Sequence, residues 1–218
     1  MATPRCWSVV IPVKPLAIAK TRLAGFAGPV RQELVVAMAA DTVTAALACA
    51  PVAAVYVVTD DSRTAAAVKA CGATPVADEP QAGLNPALAH GAGVASRERP
   101  ECAVAALAAD LPALRATELE VALSAAGGHR RALVSDCDRA GTTMLTAAAG
   151  VALAPAYGAD SRRRHVASGA VELALAGCEG LRRDVDTMED LAAADRLGVG
   201  RHTRDLLGGR ATGVRPAE

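Results

Sequence analysis

Short apolar runs alternate along the chain with longer helix-like runs, and this alternation restricts the fold more than any other feature. Strand-like stretches at 7–13, 53–58, 73–77 and 101–109 are separated or followed by helix-like stretches at 29–49, 62–71, 84–97 and 115–126. A parallel return needs a crossover long enough to hold a helix, so this repetition predicts a mainly parallel sheet covered by helices on both faces. Helix starts are legible as well. Pro29 suits a first helical position, and Asn85 before Pro86 reads as an N-cap followed by a first-turn proline.

From residue 130 the pattern changes. RALVSD and GTTMLTAA are separated only by the turn-like CDRAG, which predicts a β-hairpin inserted into the α/β frame. A helix over 161–176, an extended piece at 180–186 and a helix over 187–197 are expected to complete the domain, the last opened by Thr187 and Asp190 at capping-box spacing. The expected organisation is one domain over residues 1–200 and a frayed tail over 201–218.

Composition narrows the chemistry. Hydrophobic residues make up 52% of the chain but aromatics only 2%, so the core is Ala, Val and Leu, which suits close packing of helix on sheet. Lys plus Arg and Asp plus Glu both number 23, so no global field draws the chain to nucleic acid or to an anionic membrane. No apolar run reaches the length of a membrane span. The six cysteines lie far apart, without CxxC or Cys-His zinc spacing, and are expected to be reduced in a cytoplasmic protein.

In a parallel sheet the residues that follow each strand gather along one edge, where open α/β sheets bind ligands. Lys14 follows the first strand, with Lys20 and Arg22 close behind and no acid among them. Three cations there suit a polyphosphate, although a solvated loop would look the same, and the glycines of a P-loop are missing. Asp110 follows an almost wholly apolar run, where a carboxylate costs free energy unless it is paired or bound to a metal. Asp184 and Asp186 flank Val185, so an extended backbone turns both carboxylates to one side. Acids of this kind suit Mg²⁺, which takes a few carboxylates and bridges to phosphate oxygens. The competing reading has both favoured by the dipole of the helix behind Thr187, which accounts for Asp186 better than for Asp184. GTTML at 141–145 and YGADS at 157–161 combine glycines and hydroxyls suited to a small anion, and turn chemistry alone also explains them. In the Arg162-Arg163-Arg164-His165 cluster most side chains are expected at the surface, with Arg and His near the binding edge as weaker candidates. The GAG at 91–93 lies inside a helical pattern and reads as packing.

Taken in order, IPVKPLAIAKTRL, GLNPAL, ADLPAL, DRAGTTML, YGADSRRRH and RRDVDTMEDL resemble the guanylyltransferases of deazaflavin coenzyme F-420 biosynthesis. These join GMP to 2-phospho-L-lactate or to phosphoenolpyruvate. The resemblance implies a single-domain variant of the nucleotide-diphospho-sugar transferase fold. It implies that Asp110, Asp184 and Asp186 surround Mg²⁺, and that Thr143, Gly158 and Ser161 hold the three-carbon acid. Asn85 would lie near the nucleotide, and Lys14, Lys20 and Arg22 would meet the phosphates of GTP or of the acid, with Asp110 and the three cations forming the catalytic set. Tyr157 and Ala159 depart from the Phe and second Gly often found in such proteins. The expected reaction uses phosphoenolpyruvate, with 2-phospho-L-lactate, a molybdopterin or sugar nucleotidyltransferase, and a non-catalytic nucleotide-binding module as alternatives. Monomer and homodimer both remain open.

Overall fold

The computed structural model describes residues 6–13, 28–79 and 81–211. In chain order these form β1 (Trp7–Pro12), α1 (Gly28–Leu47), β2 (Val52–Val58), α2 (Ser62–Ala70), β3 (Thr74–Val76), α3 (Leu84–Glu98), β4 (Ala103–Leu107) and α4 (Ala116–Ala126). The second half adds β5 (Arg131–Ser135), β6 (Thr142–Ala147), α5 (Ser161–Ala167), β7 (Val171–Glu172), α6 (Glu179–Arg182), α7 (Met188–Leu197) and α8 (Arg201–Ala211). The strands make one sheet in the order β3-β2-β1-β4-β6-β5-β7. Pairs β1–β2, β1–β4, β2–β3 and β5–β7 are parallel, whereas β6 runs antiparallel to both β4 and β5.

Successive residues of β1 serve opposite faces. Val9 and Ile11 enter the larger core with α1, α4 and the C-terminal helices, while Val10 enters the smaller core under α3. The alanines of β4, buried on both sides, let the helices approach closely. Gly91 shows how closely: a Cβ there would sit 2.6 Å from Val58 Cγ2 and 2.7 Å from Val10 Cγ1, so α3 rests directly on the sheet. The GAG reading as packing holds for Gly91.

Four expectations change. The hairpin of β5 and β6 is an integral part of the sheet, because β6 passes between β4 and β5. The helix expected over 161–176 ends at Ala167, and residues 171–172 pair with β5. The piece expected to be extended at 180–186 begins as the short helix α6. Residues 201–211, placed in the expected tail, form α8 against α1, where the buried Asp41 carboxylate accepts from the backbone N–H groups of His202 at 2.9 Å and Thr203 at 2.8 Å.

The cysteine expectation also changes. Cys6 and Cys102 form a disulfide across 96 residues, with Cα atoms 4.8 Å apart. They precede β1 and β4, and the parallel pairing of these strands puts their starts side by side, which spacing in the sequence does not reveal. Cys49, Cys71, Cys137 and Cys178 are free, and burial pushes the Cys49 thiol up to about 11.

Candidate active site

At the ends of β1 and β4 lies a cavity of about 300 Å³, lined by Asp110, Asp184, Asp186, Thr142 and Tyr157 together with apolar side chains that include Met38 and Leu88. Acids from two distant stretches of the chain therefore line one space. Local structure explains how each arrives. Asp110 follows β4 in a loop that Thr42 of α1 holds from behind: the Thr42 hydroxyl lies 3.2 Å from the Ala109 carbonyl and accepts the Leu111 N–H at 3.2 Å. Thr42 itself is fully buried, so this support is sheltered from water.

The second and third acids are tied to the first through the backbone. The Val185 N–H donates to the Asp110 carbonyl at 3.1 Å, and the Val185 side chain is buried in the core. Asp184 and Asp186 flank it and both line the cavity, as the alternation predicted. Behind them Thr187 and Asp190 make the expected capping box, with the Asp190 carboxylate accepting the Thr187 N–H at 2.9 Å and the Thr187 hydroxyl accepting the Asp190 N–H at 3.2 Å. The helix that follows thereby fixes the acidic segment in place.

Another part of the cavity wall is formed by a hydroxyl residue, Thr142, backed by the start of α5. Thr142 opens β6 and lines the cavity, while Thr143, its neighbour, does not; the Thr143 hydroxyl lies 3.5 Å from the Val134 carbonyl. Ser161 does not cap α5. Asp160, at φ 53°, holds that place, and Ser161 is the first helical residue, its hydroxyl 3.2 Å from Thr142 Oγ1. Gly158 adopts φ +119°, which a side chain would oppose, and so turns the chain from Tyr157 into α5.

Asn85 is not an N-cap either, for Gly83 precedes α3 and Asn85 lies within its first turn. Its amide behaves like a strand neighbour, accepting the Tyr157 N–H at 2.7 Å and donating to the Tyr157 carbonyl at 3.1 Å. The ring so anchored stands edge-on to His165 at 5.0 Å between centroids. Burial raises the Tyr157 phenol above its ordinary range, and its hydroxyl has no hydrogen-bond partner among the described residues.

Thr42 escapes the sequence pattern altogether, and His165 enters it only as a weaker candidate. His165 was grouped with a surface cluster, yet it is fully buried and hydrogen-bonded at both ring nitrogens, to Thr142 Oγ1 at 3.0 Å and to the Ala156 N–H at 2.8 Å. Its spacing after Ser161, four residues on and thus on the same helix face, was the available signal. Arg162 in the same cluster forms a bidentate pair with Glu172 at 2.8 and 2.7 Å. Lys14, Lys20 and Arg22 lie outside the described residues.

The family model described as "Guanylyl transferase CofC like" matches residues 7–217. A phosphoenolpyruvate guanylyltransferase from Thermomonospora curvata is 57% identical over 200 residues, covering 92% of this chain and 88% of that protein. Another from Streptomyces coelicolor is 57% identical over 198 residues, covering 90% and 93%. Among solved structures, a Desulfovibrio desulfuricans protein assigned as a nucleotide-diphospho-sugar transferase superposes with a TM-score of 0.66 at 15% identity, covering 97% of this chain and 96% of that one. Rv0371c from Mycobacterium tuberculosis, solved in complex with manganese, gives a TM-score of 0.52 at 19% identity, covering 89% and 98%. The architecture is thus that of the nucleotide-diphospho-sugar transferases.

Proposed function

The chain belongs to the CofC-like guanylyl transferase family, and from that premise we propose that it transfers GMP from GTP to phosphoenolpyruvate, giving enolpyruvyl-diphospho-5'-guanosine and pyrophosphate in coenzyme F-420 biosynthesis. A phosphate oxygen of the acid attacks the α-phosphorus of GTP. The new P–O bond forms as the bond from the α-phosphorus to the bridging oxygen breaks, and pyrophosphate departs with the electron pair. A phosphate is already largely ionised at neutral pH, so no strong base is needed. The work of the protein is to bring two anions together and offset their repulsion.

The observation that carries this reading is that Asp110, Asp184 and Asp186 line one cavity together with Thr142. Carboxylates are hard oxygen donors, the set that Mg²⁺ takes in sites where it also meets phosphate. These three residues would hold the divalent cation, and when bound it supplies charge neutralisation for the phosphates. The manganese complex of Rv0371c supports a divalent cation in this fold. Lys14, Lys20 and Arg22 are assigned to the phosphates of GTP and of the acid, and Asn85 to the nucleotide side through the Tyr157 loop it holds. Thr142, which lines the cavity, is assigned to the three-carbon acid in place of Thr143, whose hydroxyl turns to the Val134 carbonyl, with Gly158 and Ser161 shaping the turn and helix start behind it. No helix among the described residues is long and apolar enough to cross a membrane. On the ground of the proposed substrates, GTP and phosphoenolpyruvate, we place the reaction in the cytoplasm.

The test is to incubate the protein with GTP and Mg²⁺ and either phosphoenolpyruvate or 2-phospho-L-lactate, and to weigh the product. A guanylylated enolpyruvyl product is expected. Product only with 2-phospho-L-lactate would reassign the substrate, and no pyrophosphate release with either acid would sink the reaction.

A further inference from the structure

The hydrogen bonds behind the hydroxyl wall can be counted, and the count assigns a direction to each proton. The Ala156 N–H donates to His165 Nε2 at 2.8 Å, so that nitrogen carries a lone pair. A neutral imidazole has one N–H, which is therefore on Nδ1, and Thr142 Oγ1 at 3.0 Å accepts it. Ser161 Oγ lies 3.2 Å from the same Thr142 oxygen. The two hydroxyls carry two protons, and the bond between them uses one. Among the described residues no other group accepts from Thr142 Oγ1 or Ser161 Oγ, so one proton is left over. Thr142 lines the cavity and Ser161 does not.

From this arrangement we propose that His165 is a positioning residue: held as the Nδ1–H tautomer by the Ala156 amide, it makes Thr142 a hydrogen-bond donor to an anionic oxygen of the acceptor acid. The opposite tautomer would reverse the sign. Thr142 would then donate to Nδ1 and Ser161 to Thr142, both protons would be spent, and the wall would offer a carboxylate or phosphate only lone pairs. The Ala156 N–H is a fixed backbone donor, so the choice of tautomer is made by the fold. Burial, with Arg131 of β5 and Arg164 of α5 nearby, pushes His165 down to about 4, and the edge-on Tyr157 ring is its other neighbour, so the ring stays neutral at physiological pH.

The identity of the acid rests on the proposed reaction, and the test separates the two. In steady-state assays His165→Phe and Thr142→Val are expected to raise the KM for the acid about tenfold, the loss of one hydrogen bond to a charged group, while the KM for GTP stays within about twofold. His165→Asn, whose amide N–H can replace Nδ1–H, is expected to recover most of the loss. An unchanged KM for the acid in Thr142→Val, or equal rises for acid and GTP in His165→Phe, overturns the proposal. Calorimetry with phosphoenolpyruvate on the same proteins needs no turnover. Weaker binding to Thr142→Val than to wild type supports the donor even if no product forms, and equal binding overturns it.

Discussion

Two neighbouring residues of α1, Asp41 and Thr42, serve two different regions, and the contrast separates an acid spent on the fold from one that lines the candidate site. At the α1–α8 junction the Asp41 carboxylate is 5% exposed and spends both oxygens on the backbone N–H groups of His202 and Thr203. It caps a helix from outside that helix. One residue on, Thr42 holds the loop of Asp110, whose carboxylate shares a cavity with those of Asp184 and Asp186. An acid whose oxygens are both taken by backbone donors stabilises the fold, whereas acids from two distant stretches that line one cavity are placed where a ligand can meet them.

The contrast can be broken most sharply at Asp110. Asp110→Asn is expected to lower kcat/KM at least about a hundredfold while the melting temperature stays near that of wild type, read by pyrophosphate release and by calorimetry. Retention of most activity would remove the acid from the reaction. Asp41→Ala should do the reverse. Leaving the buried Thr203 N–H and the part-buried His202 N–H without partners costs about 1–3 kcal/mol, which for a chain of this size is a fall of roughly 2–12 °C, with turnover at 20 °C largely kept. If activity falls and stability does not, Asp41 is no structural acid.

Asp184→Asn tests whether the second acid acts through the cation. The Mg²⁺ concentration for half-maximal activity is expected to rise about tenfold, with near-normal rates restored at saturation. The smallest effect concerns Glu172, whose carboxyl is held below its ordinary range first by the hydrogen bonds from Arg162, with burial opposing and Arg139 adding. A lowered folded value stabilises above the unfolded value of about 4.3 and is lost as pH falls through the folded one. Glu172→Gln should therefore cost about 0.5–1 kcal/mol at neutral pH, and its melting curve should converge with wild type in acid. A gap that persists at low pH would assign the loss to packing.

What could be read from residues and what could not divides along physical lines. The alternation of β1 to α4, the turn between β5 and β6, the placement of Asp184 and Asp186 about Val185, and the Thr187 capping box are all local. Each follows from backbone periodicity or from side chains within a few positions of one another. The Asn85 reading failed for a local reason too, since Gly83 took the capping place and freed the amide for Tyr157.

By itself the sequence determined the layered α/β class, the acids that follow the strands and the family to which the chain belongs, because periodicity and ordered motifs survive without coordinates. Only the tertiary structure decided that β6 would pass between β4 and β5, that Cys6 would meet Cys102, that Thr42 would support the Asp110 loop, and that His165 would be buried with both ring nitrogens hydrogen-bonded. These are contacts between residues made neighbours by strand order and helix packing. No periodicity encodes them, since each depends on which surfaces the remainder of the chain leaves to be covered.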